Sequence, residues 1–575
     1  MYYRHRRFVS YRSQRSSHAS LRSRSVVAIN YQVTALAISV FLALLIRWLD
    51  ASSEFQMHPC FSVDEILRLF ACELVASEEK AAAVALACCC KGFEDPVLDA
   101  LWEAQDGLTP LLKCFPPDVW KIEDGRLVSP LTAFILPALN CSIRKSFERI
   151  PTKAEWAHSL KYARRMRKLR VDPYVDPVTS DIILALQLRT ANNTWLSRLK
   201  TFECYEATEA FIPFIPLFLS PKTTRIRIEF DEYPPTVVAG SMISRLSTLC
   251  PDLECIALQN LSRNSVIIDA VAELLLGCNR EVIREFEVDC PLTEEAREVV
   301  YRLQKLSTLS TVIQGPTSLP TVTLPDLFTL DLEYEHDLDW LEGFRGATLG
   351  NLKAVTFHPE SEHIGDFLQA FESVALTTSA QNTLLTFCFC TSRSWNPNYS
   401  SLLSFYQLRK LEIEFSCNDG CSSKVDDDII ISLAGAMPKL EDLRLGGRPC
   451  QTRTGATVNG LIGLAYRCPH LLRLCIHFQA TSLASAATSE MERLPFALKR
   501  SARREKSCAL MVLEVGRIPI PAGLELAVTL ILLQIFPHIN HVMYTNQEWK
   551  TVTDTIRGFR QIGVFVRRSG RAHML

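Results

Sequence analysis

One apolar spacing recurs along this chain and limits what it can fold into. Leu327-x-x-Leu330-x-Leu332 is followed by Leu352-x-x-Val355-x-Phe357, Leu384-x-x-Phe387-x-Phe389, Leu408-x-x-Leu411-x-Ile413, Leu440-x-x-Leu443-x-Leu445 and Leu471-x-x-Leu474-x-Ile476. The last two apolar residues of each motif are two apart, which puts both on one side of a short strand. Successive motifs begin 25, 32, 24, 32 and 31 residues apart. Met166-x-x-Leu169-x-Val171, Leu253-x-x-Ile256-x-Leu258 and Ile283-x-x-Phe286-x-Val288 have the same form earlier in the chain. Residues 269–278, 293–306, 428–437 and 458–468 between the motifs have helical spacing. The last two of these run into Met437-Pro438 and Cys468-Pro469, where proline ends a helix and favours an extended start to the next strand.

A strand and a helix per unit, stacked side by side, place parallel strands on one face and helices on the other. The expected fold class is therefore α/β, an irregular leucine-rich-repeat horseshoe (a solenoid) over residues 160–545. Glu254, Ala257, Thr356, Glu412, Arg444 and Cys475 lie between the inward residues and are expected to be exposed on the concave face. Glu412 and Arg444 are one unit apart and placed to pair. No aromatic or basic stripe singles out a ligand there. The polar loops 417–428 and 446–455 leave strand ends, residues 493–506 are basic, and residues 524–536 are apolar enough for a last packing element. Residues 546–575 form a basic C-terminal tail.

Residues 57–104 read as three short helices. Ser62 with Glu65 makes a capping box ahead of the stripe Ile66, Leu67, Leu69 and Phe70. A second helix is expected from residue 77 to 90, ended by Gly92, and a third from Pro96 to Trp102, with Pro96 in its first turn. A connecting helical region follows at 105–159. On pattern alone the three helices are either a cap that seals one end of the repeats or a separate docking module.

Pro59, Ile66-Leu67-Arg68-Leu69-Phe70, the stretch from Ala85 to Phe93 and Pro96-Val97-Leu98-Asp99-Ala100-Leu101-Trp102 resemble an F-box. With residues 108–120 they resemble a large fungal (basidiomycete-type) family of F-box proteins with degenerate leucine-rich repeats. This chain departs from that pattern in opening on His58-Pro59 and in carrying Lys91-Gly92-Phe93 after its cysteines. The resemblance implies a non-catalytic adaptor, the substrate-recognition subunit of a Skp1-cullin-F-box ubiquitin ligase, with an unknown protein substrate. It implies contacts to a Skp1-like protein from Pro59, Ile66, Leu67, Leu69, Phe70, Pro96, Leu98, Leu101 and Trp102. The alternative is a leucine-rich-repeat protein-interaction scaffold that does not bind Skp1 and is tethered to a membrane.

That tether would come from residues 26–46, a charge-free run of 21 residues within a candidate transmembrane or leader segment at 26–49. Ahead of it, residues 1–25 form an Arg- and Ser-rich basic tail with seven Arg and no acid. Met57 is also placed to start the chain just before the helical segment. Over the whole chain the formal net charge is -1, so no nucleic-acid partner is expected. The 20 cysteines are scattered, three of them consecutive at Cys88, Cys89 and Cys90, as small apolar filler rather than as a disulfide framework. That usage suits a reducing compartment, cytoplasmic or nuclear.

Reaction chemistry is hard to find in the sequence. Cys417 and Cys421 lack a second pair at zinc spacing. His358 and His363 are five apart, which puts them on different faces of a helix, and Asp426-Asp427-Asp428 lacks the alternating oxygen ligands of a calcium loop. Gly446-Gly447 lacks the lysine of a phosphate loop. No metal, cofactor or catalytic residue is expected, and the chain is read as not an enzyme.

Overall fold

In the computed structural model, residues 63–572 are described with breaks, the longest at 126–141, 184–194, 416–424, 447–454 and 483–507. Two compact units emerge among the described residues: one runs from 63 to 105 with 160–167, and the other covers 106–159 with 168–572.

The first unit carries helices Asp64–Ala76, Lys80–Cys89 and Lys91–Glu103. Leu67, Ala71, Leu74, Ala83, Leu86, Phe93, Val97 and Ala100 make its core. Leu67, Ala71 and Leu74 recur at helical spacing, which is why one face of the first helix is buried. The unit is completed by a segment far along the chain. Tyr162 stacks on Trp102 with ring centroids 4.9 Å apart, and Arg165 pairs with both Asp95 and Asp99. Ser62 and Pro59 lie outside the described residues, so the cap expected at Ser62 does too. Pro96 sits inside the third helix rather than at its start.

In the second unit, β1 (Ala104–Asp106) spans the boundary, and β2 (Trp120–Gly125) pairs antiparallel with β3 (Ser142–Phe147). The main sheet continues through β4 (Lys168–Val171), β5 (Thr201–Ala207), β6 (Arg225–Phe230), β7 (Cys255–Gln259) and β8 (Glu285–Pro291). Its middle strands are β9 (Thr308–Ile313), β10 (Thr329–Tyr334), β11 (Ala354–Pro359) and β12 (Thr386–Cys390). It ends with β13 (Lys410–Glu414), β14 (Asp442–Leu445), β15 (Arg473–Ile476), β16 (Val512–Gly516) and β17 (His541–Tyr544). With β1 this is a 15-stranded sheet whose strand order follows the chain. Neighbouring strands from β4 to β17 are parallel, and the apolar residues align in rows such as Leu330, Val355, Phe387, Leu411, Leu443 and Leu474.

Helices between strands are capped by the residues that precede them. Asn264 accepts from the Ile267 amide, Thr293 from Ala296 and Asp426 from Ile429. Asp427 accepts from the amides of Thr457 and Gly460 at the start of the next helix, Val458–Arg467. The acidic run 426–428 is thus bound up in helix starts. Helices Asp427–Ala436 and Val458–Arg467 end just before Pro438 and Pro469, as the sequence leads one to expect.

Several expectations are corrected. Residues 160–545 do not form a leucine-rich-repeat horseshoe or solenoid of short curved repeats. They belong to one continuous parallel sheet flanked by helices of up to 14 residues, such as Thr236–Leu249. The L-x-x-L-x-L pattern misleads because it specifies only a strand that buries alternate residues. Any parallel strand covered by helices meets that condition. The N-terminal helices do not form a small F-box-like three-helix module either, since residues 160–167 belong to the same compact unit. The expected connecting helical region holds the hairpin β2–β3 besides helices Thr109–Leu112 and Lys153–Ala163. The basic C-terminal stretch is helical over Gln547–Ala572 and buries Trp549, whose Nε1 donates to the Ile518 carbonyl at 2.7 Å. Residues 26–46 lie outside the described residues. Among the described residues no helix is long and apolar enough to cross a membrane, so the tether has no support there.

Thr311 on β9 is 4% exposed, sits in register with the core residue Leu332, and its hydroxyl has no hydrogen-bond partner. A buried hydroxyl without a partner costs roughly 1–3 kcal/mol. Thr311→Val is therefore expected to raise stability by about 1 kcal/mol, read as an upward shift of the urea midpoint. A lowered midpoint would show that the hydroxyl is bonded.

Candidate functional site: the polar face of the sheet

Parallel strands in unbroken chain order have consequences for both faces. Right-handed crossovers that always step in the same direction all fall on the same side of the sheet. There is also no reversal of strand order, and so no switch-point crevice of the kind in which doubly wound sheets hold nucleotides.

Side chains alternate between the faces. On β6, Ile226 and Ile228 are buried under the helices while Arg225, Arg227 and Glu229 point the other way and are half-exposed. Charged pairs line this face from its first strands. Glu203 on β5 takes Lys168 Nζ at 2.6 Å and Arg170 Nε at 3.0 Å. Burial works against the Glu203 carboxylate, but those two cations outweigh it and hold the group below its ordinary range. Arg225 reaches Glu285 at 2.8 Å and Arg227 reaches Glu287 at 3.5 Å, both two strands away. They pass over β7, whose residues in the same rows are only Cys255 and Ala257.

The centre of the face has a different balance. β7 to β12 carry Glu285, Glu287, Asp289, Asp331 and Glu333, and not one Lys or Arg in six consecutive strands. Arg263, from the loop after β7, pairs with Glu333, and His358 Nε2 lies 3.4 Å from Asp331. Ser310 is in register with Asp331 on the side away from His358. Strands lie about 4.8 Å apart, so roughly 10 Å separates the strands of the serine and the imidazole, with the carboxylate between them.

The densest cluster lies at β13–β16. Cys388, Glu412, Arg444, Cys475 and Glu514 share one register row. The Arg444 guanidinium is shared by four carboxylates at 3.6–3.8 Å: Glu412, Glu414, Asp442 and Glu514. Those distances are electrostatic contacts rather than hydrogen bonds. Again the long reach, to Glu514, passes over a small residue, Cys475. Glu412 is 2% exposed and takes Lys410 Nζ at 2.6 Å, and the Cys388 thiol lies 3.5 Å from its Oε2. Burial alone would push Lys410 down, but Cys388, Glu412 and Asp442 outweigh it and hold the ammonium above its ordinary value. For Asp442 the balance goes the other way. Burial pushes its carboxyl up, and Arg444, Lys410 and Arg473 do not fully reverse that.

Of the positions expected to be exposed, Ala257, Thr356 and Glu412 are buried at 0%, 2% and 2%. The pairing of Glu412 with Arg444 is present at 3.8 Å. The two-strand pairs were not found from sequence. Their one signal is a spacing of 60, from Arg225 to Glu285 and from Arg227 to Glu287, across a strand with small residues in the same rows.

The residues assigned to a Skp1-like partner do not make one surface. Ile66 and Leu69 are exposed, at 44% and 72%. Leu67 and Pro96 are buried in the core of their unit, while Phe70, Leu98, Leu101 and Trp102 are half-buried. Pro59 lies outside the described residues. A docking face has to be open, so the Skp1-like partner, its protein substrate and the ubiquitin-ligase adaptor function are all corrected. The leucine-rich-repeat scaffold falls with the horseshoe. His363, Cys417 and Cys421 lie outside the described residues, and among the described residues no three His, Cys, Asp or Glu are grouped to hold a metal.

On the helix side, a concavity of about 1160 Å³ is lined by helices Ser265–Gly277 and Glu294–Val300 and the segments that follow them. Its lining is net acidic, with Asp269, Glu273, Glu281, Glu294, Glu295 and Glu298 against Arg280, Arg302 and Lys305. No family model and no curated protein matches this chain.

Proposed function

We propose that this protein is a non-catalytic binding protein that takes a polycationic ligand on the carboxylates of β8, on the polar face of its sheet. One observation carries the reading: Glu285, Glu287 and Asp289 stand partly exposed on β8, and the six consecutive strands β7–β12 carry no Lys or Arg, while Asp331 and Glu333 lie buried beside them. Low-dielectric walls concentrate the field of such a surface and raise the local concentration of counter-charge. The rigid sheet supports it further, because groups fixed on strands need little reordering when a ligand arrives. The non-catalytic part of the reading is supported by the absence, among the described residues, of any group of three His, Cys, Asp or Glu placed to hold a metal. The buried thiols Cys204, Cys250 and Cys290 suit a reducing compartment, cytoplasmic or nuclear.

The test is a calorimetric titration of the full chain with hexalysine. Binding is expected at low ionic strength and should weaken steeply as salt is added, since exposed charges are screened over about 10 Å at 0.1 M. Glu285→Gln and Glu287→Gln together should lower the affinity by at least about fivefold, the equivalent of roughly 1 kcal/mol for one charge pair at 4 Å in water. No binding at low salt, or equal affinity of the variant, would sink the reading.

A further inference from the structure

The Arg444 cluster gathers four carboxylates around one guanidinium. Glu412, Glu414, Asp442 and Glu514 surround Arg444, and Lys410 and Arg473 add positive charge. Cys388 and Cys475 complete the row. The four carboxylates are not equivalent. Glu412 has a short contact to Lys410. Asp442 stands in register between Lys410 and Arg473, its side chain is 18% exposed, and its Oδ1 has no hydrogen-bond partner among the described residues. That oxygen meets Arg444 Nε only at 3.6 Å. A mostly buried carboxylate oxygen held by charge alone loses hydration without a hydrogen bond to replace it.

We propose that Asp442 is a proton-accepting valve in this cluster: it takes up a proton while the protein stays folded, and Arg444 is then left to Glu412, Glu414 and Glu514. The raised carboxyl fits this, because burial favours the neutral form. The sign of the pH effect follows. A group whose folded pKa lies above its unfolded value, about 3.9 for Asp, contributes stability that is fully present below that value. The contribution is lost as pH rises through the folded pKa. At neutral pH the charged Asp442 is a net cost, and mild acid relieves it. The device does not depend on what the sheet face binds.

The test compares the melting temperature of the full-length protein and Asp442→Asn between pH 7 and pH 4. Asparagine imitates the protonated carboxyl in shape and charge. The variant is expected to melt higher at pH 7, with the gap closing as the pH approaches 4. A gap that stays constant, or a variant that melts lower at pH 7, overturns the proposal. So does a variant that fails to fold at pH 7, since the neutral form is the one the site is said to accept.

Discussion

Replacing Arg444 with methionine is expected to destabilise the protein by about 3–5 kcal/mol, the usual cost of removing one partner from a buried ion cluster. The four surrounding carboxylates would keep their burial and lose the shared guanidinium. Methionine has similar length and apolar volume, so the loss reports charge rather than a cavity. The measurement is the urea midpoint of the transition that includes β13–β16, followed by hydrogen exchange on those strands. Adding Asp442→Asn to the same chain should restore part of the loss, because the two residues are in contact and their effects are not additive. A cost below about 1 kcal/mol would mean that the carboxylates are hydrated well enough not to need Arg444.

A comparable loss, about 3–5 kcal/mol, is expected for Phe357→Ala. Phe357 on β11 is fully buried and lies 4.9 Å from the Phe367 ring, 5.3 Å from Phe371 and 6.1 Å from Phe387. Phe367 in turn packs on Tyr334 and Phe389 at 5.7 and 4.8 Å. Truncation would open a cavity among rings contributed by β10, β11, β12 and the helix Phe367–Thr378, which cannot all shift to fill it. Phe357→Leu should recover much of the loss. If alanine cost no more than leucine in the same denaturation experiment, the aromatic cluster would not be the centre of this part of the core.

Local structure was legible from the sequence where it depends on near neighbours. Period-two pairs such as Leu443 and Leu445 located strands, and Pro438 and Pro469 located helix ends, because both signals act within a turn or a strand. The Ser62 signal lies outside the described residues, and Pro96, read as a helix start, proved to be inside a helix. The family resemblance failed for a similar reason. Apolar helices such as Asp64–Ala76 are easily matched, and matching them says nothing about which of Leu67 and Leu69 is buried.

The sequence by itself therefore determined the positions of the motif strands, several of the helices between them, and which residues of each strand face the core. Only the tertiary structure decided that these strands join one parallel sheet, that residues 160–167 complete the N-terminal unit, and that Arg225 and Arg444 reach carboxylates two strands away. The physical reason is range. Burial periodicity is set by residues two to four apart. A charge network is set by strand register and by the small residues, Cys255, Ala257 and Cys475, that leave room for a guanidinium to cross.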